Sequence, residues 1–200
     1  MQMKHTLSII LLFIGFTGVS QSIVAWTPGY EIQLSDFQSP QTEISEKLSS
    51  ATLHMAARMD FGFHMNHAEF MFTKNFNSKV KTVFNRNAAV IVAPDSLTAR
   101  QLVNFGQYSF DLTELYSRKF RKALYEQKST FSDMSFFQSI FDELEEEMNA
   151  ESTRVMKATD LGRKEDLLAE EHANVLGQIE ELPEFCSECK PPKKKKKKKN

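Results

Sequence analysis

Histidine and methionine residues cluster between positions 54 and 71, and both side chains can ligate metal ions. His64 and His67 are three residues apart, so on a helix their imidazole rings could reach one ion, and His54 lies upstream. Imidazole combined with thioether suits copper or haem iron, and four methionines lie nearby: Met55, Met59, Met65 and Met71. In the alternative interpretation, methionine and phenylalanine fill a core and the histidines lie at its polar edge. We favour this alternative, keep the three histidines as candidate ligands only, and expect no cofactor.

Cys186 and Cys189 are the only cysteines and lie close together near the C-terminus, in the segment Phe-Cys-Ser-Glu-Cys. A local disulfide, a disulfide between chains that makes a homodimer, and a redox or metal site all remain open. The flanking residues Glu184 and Glu188 disfavour a reactive thiolate, and two cysteines supply only half of a zinc site. We therefore favour the local disulfide.

Sequence motifs of catalysis are missing from the chain. It contains no G-x-S-x-G nucleophile motif and no glycine-rich phosphate loop. The carboxylates at 145–147 are consecutive, so on a helix they fan out over a solvated face, and Glu171 and His172 are adjacent and face different directions. We therefore expect a non-catalytic protein, although an enzyme assembled from scattered residues remains an alternative.

The N-terminus has the composition of a secretory signal peptide, which we assign to residues 1–22. A short basic start at Lys4 precedes the apolar run 7–16, and small residues around Ser20 suit a signal peptidase. This predicts a secreted, extracellular protein. A span over residues 6–26 that stays as a type II membrane anchor, or retention in the lumen of the secretory pathway, is the alternative.

The C-terminus, residues 190–200, is a basic tail that we expect to be disordered, because like charges repel and cannot pack. The tail contains seven consecutive lysines: Lys193, Lys194, Lys195, Lys196, Lys197, Lys198 and Lys199. Each lysine near an anionic bilayer contributes about 1 kcal/mol, so the run could hold the protein at a membrane or at a sulfated polysaccharide. Alternatively, the tail folds back on an acidic part of the same chain.

Charge is distributed unevenly along the body of the protein. Residues 132–189 contain 16 acidic and four basic residues, a net charge of −12, although the whole chain has a net charge of only −1. A basic cluster at 118–122 stands apart from this acidic region. We expect Phe120 to enter the core, and the flanking charges to serve solubility or to pair with the protein's own acidic helices rather than to bind an external partner.

Hydrophobic spacing predicts an all-α domain over residues 23–189, an up-and-down bundle of four to five amphipathic helices packed in the manner of a coiled coil. Steps of three and four join Ile44, Leu48, Ala51, Met55 and Met59, and a second series runs from Phe61 to Val83. The short apolar segment 88–93 has no hydrophobic period that distinguishes a strand from a helix. Pro94-Asp95-Ser96 predicts the start of a helix that runs to about Gln127, and Ser132 predicts the next. The last, acidic helices could project as a hairpin.

These observations predict a secreted helical binding protein whose lysine run tethers it to anionic surfaces while its body meets an unidentified protein partner. A carrier of a lipid or haem among the phenylalanine and methionine residues of segment 55–84 is the alternative, and a histidine-centred metalloprotein or enzyme is the second. We expect no nucleic acid as partner of a secreted chain. If the leader were not a signal peptide, the lysine run would instead indicate a nuclear address.

Overall fold

The computed structural model describes residues 22–62, 66–129, 132 and 135–191. Six strands fall within this part of the chain: β1 (Ile23–Ala25), β2 (Glu43–Ile44), β3 (Thr52–His54), β4 (Ala57–Phe61), β5 (Val80–Asn85) and β6 (Val90–Ala93). It also contains four α-helices: α1 (His67–Phe72), α2 (Ser96–Gln127), α3 (Phe136–Ala158) and α4 (Glu165–Glu180). No helix in these residues combines the length and apolar composition needed to cross a bilayer.

The first sheet has the order β1-β5-β4 and is antiparallel throughout. Val24 pairs with Phe84, and Met59 pairs with Thr82. β5 is the central strand and is rich in β-branched and aromatic residues, which favour the pleated backbone of a sheet. Its side chains Val80, Val83 and Phe84 are buried, so this strand forms the floor of the core.

The second sheet has the order β2-β6-β3, with β2 parallel and β3 antiparallel to the central strand. β6 comes from the apolar segment 88–93, which has no assignable period. Ile91 and Ala93 are fully buried on one side of it, as the alternation of a strand requires.

Helix α2 is the central element and is about 48 Å long at about 1.5 Å per residue. Both boundaries predicted from the sequence are confirmed. The Asp95 carboxylate accepts the Thr98 backbone N–H at 2.7 Å and so caps the first turn. α2 packs against β4, β5 and β6 on one side and against α3 and α4 on the other, so it organises the whole fold.

Helices α3 and α4 lie along α2, and the predicted projection of an acidic hairpin is wrong. Ile140 and Val155 of α3 and Val175 and Ile179 of α4 are buried in the same cluster as the α2 core residues. Ser132 does not cap α3, since the helix begins at Phe136 after Ser135. The turn between α3 and α4 contains Gly162 with φ +88°, where a Cβ would lie 2.7 Å from the Gln101 carbonyl oxygen.

The predicted all-α bundle, with its coiled-coil packing, is wrong, because two three-stranded sheets replace the helices expected over 40–84. The three- and four-residue steps from Ile44 to Met59 are a coincidence of spacing across three separate strands. Among the described residues between 61 and 83, the one α-helix is α1, which is six residues long, and a 3₁₀ turn follows at Asn77–Lys79. The period failed because strand pairing joins residues far apart in sequence, whereas hydrophobic spacing detects only local order.

Candidate functional site

One face of α2 has polar residues in steps of four and three, a spacing that usually marks an apolar seam. These residues, which we call the polar seam, are Arg100, Asn104, Gln107, Asp111, Glu114, Arg118 and Arg121. Arg100 and Asn104 are exposed, whereas the last four residues of the seam are buried. Charged side chains are almost never buried without partners, so the seam requires an explanation in its contacts.

Asp111 is the centre of a hydrogen-bonded group that joins three parts of the chain. The Trp26 indole N–H donates to Oδ1 at 2.6 Å, and Nε2 of Gln107 donates to Oδ2 at 2.8 Å. Nε2 of His172, on α4, lies 2.7 Å from the same Oδ2. The loop after β1, helix α2 and helix α4 therefore meet at one buried carboxylate.

Gln107 fixes the loop after β1 onto α2, and its own orientation is determined by its partners. The Ile32 main-chain N–H donates to Oε1 of Gln107 at 2.7 Å. A main-chain N–H can only donate, so the other end of the amide must be the NH₂ group. That group donates to the Tyr30 carbonyl oxygen at 3.2 Å and to Asp111.

These contacts also determine the tautomer of His172. The Asp111 carboxylate accepts from the indole N–H of Trp26 and from the NH₂ group of Gln107, and an ionised carboxylate can only accept. Nε2 of His172 must then carry the hydrogen that it donates to Oδ2. In the neutral imidazole this leaves a lone pair on Nδ1. Nδ1 makes no hydrogen bond with any residue described here, and the side chain is 24% exposed.

Below Asp111, the seam continues as a buried ion triad. Oε1 of Glu114 accepts from Nε of Arg118 and from Nη1 of Arg121, both at 2.9 Å. The Thr82 hydroxyl on β5 donates within this group, 2.8 Å from Oε2 of Glu114 and 2.7 Å from the Ser117 hydroxyl. A buried pair of opposite charges survives desolvation when further hydrogen bonds satisfy it, and this triad has them.

The two arginines of the triad also hold the ends of neighbouring elements. Nη1 of Arg118 donates to the carbonyl oxygens of Ile179 and Leu182, at and just beyond the C-terminal end of α4. A cation is favourable there because the last carbonyls of a helix have no partner within it. The guanidinium of Arg118 also lies 5.5 Å from the centre of the Trp26 ring, within range of a cation–π contact.

A cleft of about 860 Å³ opens over this group, between loop 26–33, α2 and α4. This volume falls within the range of sites for small organic molecules, about 300–1,000 Å³. Its wall has an apolar part, which includes Trp26, Ile32, Val103, Leu176 and Ile179, and a polar part with exposed residues such as Glu31, Arg100 and Glu180. Asp111, Arg118 and His172 line it as well. The cleft thus combines an apolar wall with a small polar group held rigidly in place.

The segment rich in phenylalanine and methionine, where the sequence predicted a ligand cavity, mostly fills the core. Met59, Phe70, Phe76 and Phe84 are buried there. Met55 lines a smaller cavity of about 240 Å³ between β3, α2 and α3. The larger cleft lies between loop 26–33, α2 and α4. A carrier would therefore bind its ligand there and not in the segment 55–84.

The predicted histidine cluster is not assembled by the described residues. His54 is exposed on β3, His64 lies outside the described residues, and His67 is described only as the first residue of α1. In the described part of the chain no group of three metal-ligating side chains comes together. The histidine that joins a buried network is His172, which was considered from the sequence only together with Glu171 and set aside.

The disulfide between Cys186 and Cys189 is present, with an S–S distance of 2.00 Å. The side-chain amide of Asn77 donates to the carbonyl oxygens of Glu184 and Cys189, and Arg121 donates to that of Phe185. A cavity of about 240 Å³ separates this turn from the end of β1, with Ala25 and Cys186 both in its wall. The disulfide therefore closes a turn fastened to the body of the protein.

The basic cluster at 118–122 is divided by the fold. Phe120 is buried as predicted, and Arg118 and Arg121 are buried too, paired with Glu114 of the same helix. The pairing is therefore internal, although its partner belongs to α2 and not to the acidic helices. Lysines 193–199 and the assigned signal peptide up to residue 21 lie outside the described residues, so the tether and the secreted location stay predictions.

A signal for this site was present in the sequence, although it was missed. Residues 100–121 place a charged or amide side chain at every third or fourth position, where an amphipathic helix would place its apolar stripe. This pattern predicts a polar face with internal partners. Asp111 and His172 are 61 positions apart, so no local sequence pattern predicts that they pair.

Comparison with known proteins found no matching family model, no similar curated protein and no similar solved structure.

Proposed function

We propose that this protein is a non-catalytic carrier that binds a small, largely apolar organic molecule in the cleft between loop 26–33, α2 and α4. The observation that carries the proposal is the position of a cleft of about 860 Å³ directly over the Asp111 group. An apolar wall supplies binding energy, and a few fixed polar groups orient the ligand. Gln107 holds the loop in place before a ligand arrives, which lowers the cost of ordering it.

The single tryptophan makes this proposal testable by fluorescence. Trp26 is the only tryptophan of the chain and lines both this cleft and the smaller cavity beside Cys186, so its emission reports on this region of the protein. We expect methyl laurate, an apolar probe, to change Trp26 emission saturably and to raise the melting temperature. A ligand present at 100 times its Kd stabilises a protein by about 2.7 kcal/mol.

A matched pair of variants separates binding in the cleft from surface adsorption. Val103→Phe enlarges a side chain in the wall of the cleft, and Leu97→Phe adds the same kind of ring on α2 where Leu97 is 53% exposed. We expect the affinity for methyl laurate to fall at least tenfold in Val103→Phe and to stay unchanged in Leu97→Phe. Equal affinities in the two variants, or no response of Trp26 in the unchanged protein, would contradict the proposal.

We also propose that the lysine run tethers this carrier outside the cell to an anionic membrane or sulfated polysaccharide. The disulfide-closed turn at 186–189 supports this, because it is attached to the body of the protein and is followed directly by the exposed residue Lys190. Heparin retention at physiological salt should be lost when residues 193–199 are deleted, while binding of methyl laurate persists. Retention that survives the deletion would rule out the tether.

A further inference from the structure

The hydrogen-bonding group beneath the cleft is closed except at two nitrogens, Nδ1 of His172 and Nη2 of Arg118, to which no described residue bonds. Asp111 accepts from three side chains, and Gln107 uses both ends of its amide. Arg118 is bound through Nε to Glu114 and through Nη1 to two carbonyl oxygens. Nδ1 of His172 has no hydrogen-bond partner among the described residues, and His172 lines the cleft.

We propose that the cleft selects an amphipathic carboxylic acid, whose carboxyl group shares a proton with Nδ1 of His172. The apolar part of this ligand lies along Val103, Leu176 and Trp26. The inference rests on the proposed function, because it names the class of ligand that the carrier takes. His172 is then a specificity-determining residue, and Asp111 is the positioning residue that holds its ring.

Proton balance favours a carboxylic acid over an alcohol or an ester. With Nε2–H donated to Asp111, the neutral imidazole presents a lone pair at Nδ1, and a carboxylic acid can donate its proton there. If the proton moves to Nδ1, a carboxylate faces an imidazolium, and the Asp111 carboxylate stabilises that cation from the other side. Hydrogen bonds between charged groups are about twice as strong as neutral ones. An ester offers no proton, and an alcohol forms only the neutral bond.

The charges already buried around the site are balanced, so the new pair adds no net charge. Asp111 and Glu114 balance Arg118 and Arg121. From α3, Arg154 pairs both with Glu171, the neighbour of His172 on α4, and with Glu151, which leaves one excess negative charge in this partly exposed group. The remaining charged residues in the cleft wall are exposed ones: Glu31 on the loop, Arg100 on α2 and Glu180 on α4. Solvent screens these exposed charges, so they oppose a bound carboxylate only weakly.

Three probes with the same chain length test the inference: laurate, dodecanol and methyl laurate. In the unchanged protein we expect laurate to bind at least tenfold more tightly than methyl laurate, with dodecanol between them, as followed by Trp26 emission. In His172→Phe the advantage of laurate should vanish, while methyl laurate binds as before. His54→Phe, which replaces an exposed histidine on β3, should keep the preference for laurate.

The outcomes separate the inference from the proposed function. If the three probes bind the unchanged protein equally, the inference is overturned and the carrier remains; if none binds, both fail. A preference for laurate that survives in His172→Phe also overturns the inference, because another group then recognises the carboxyl. Should that variant not fold, ¹⁵N NMR of labelled histidine decides on the unchanged protein. Laurate, but not methyl laurate, should shift Nδ1 of His172, and an unshifted Nδ1 would refute the contact.

Discussion

Glu114 and Arg121 lie two helical turns apart on α2 and form a buried ion pair, with Oε1 and Nη1 2.9 Å apart. Arg118 binds the same Oε1 from the intervening turn. One carboxylate thus pairs with two guanidinium groups that together hold β5, α4 and the C-terminal turn. The stability of the fold depends on this carboxylate more than on any exposed acid of the acidic helices.

Replacing Glu114 by glutamine should destabilise the protein by about 3–5 kcal/mol, because two arginines stay buried without their counter-charge. Urea denaturation followed by circular dichroism measures the loss. Glu143→Gln, at an exposed position on α3, is the control and should change stability by less than about 0.5 kcal/mol. Similar midpoints for the two variants would show that the triad contributes nothing to stability.

Replacing Gln107 by methionine should release the loop after β1 while leaving the helices intact. Ile32 donates its main-chain N–H to Gln107, so this amide should exchange its hydrogen faster in the variant. Hydrogen exchange followed by NMR gives the rate residue by residue. Gln138→Met, which changes an exposed glutamine on α3, should leave the Ile32 rate as it is. An unchanged rate in Gln107→Met would mean that other contacts hold the loop.

Tyr108 has a hydroxyl group that is buried and has no hydrogen-bond partner among the described residues. Burial, with Glu151 and Glu171 nearby, raises its pKa. Tyr108→Phe should therefore leave stability unchanged or raise it by about 1 kcal/mol, since an unsatisfied polar group is removed. Tyr30→Phe makes the same change where the hydroxyl group bonds to Asp36 and Arg86, and should lower stability by about 1 kcal/mol. Thermal unfolding distinguishes the two, and a clear loss in Tyr108→Phe would contradict this account.

The cap of α2 predicts a pH dependence of stability. The Thr98 backbone N–H donates to Asp95 and lowers the pKa of that carboxyl below its ordinary value of 3.8. A lowered pKa in the folded state adds stability above the ordinary value, and this stability disappears as the pH falls through the folded-state pKa. The protein should therefore exceed Asp95→Asn in melting temperature at neutral pH, and the difference should shrink towards zero in strong acid. A difference that does not change with pH would show that the charge plays no part.

The sequence predicted α2 well because the signals that bound a helix are local. Pro94 and Asp95 mark its start, and the end predicted at about Gln127 agrees with the structure. The strands between 43 and 61 were missed because each is two to five residues long, and a period cannot be read over so few positions. Their pairing partners are 19 to 49 positions away, as from Phe61 to Val80 and from Glu43 to Val92.

The candidate site was less predictable than α2, because the contacts that join its different elements are long-range. Trp26 and Asp111 are 85 positions apart, and Asp111 and His172 are 61 apart. His54, His64 and His67 were considered as metal ligands because they are close in sequence. Proximity in sequence alone does not bring their side chains together. The polar seam was the one usable clue, since its charges occupy the positions of a buried stripe.

The cavity shared by Ala25 and Cys186 places the end of β1 beside the disulfide-closed turn. The amide of Asn77 and the guanidinium of Arg121 also hold this turn, through the main-chain oxygens of Glu184, Phe185 and Cys189. A reducing agent that opens the sulfur bridge therefore leaves these attachments in place.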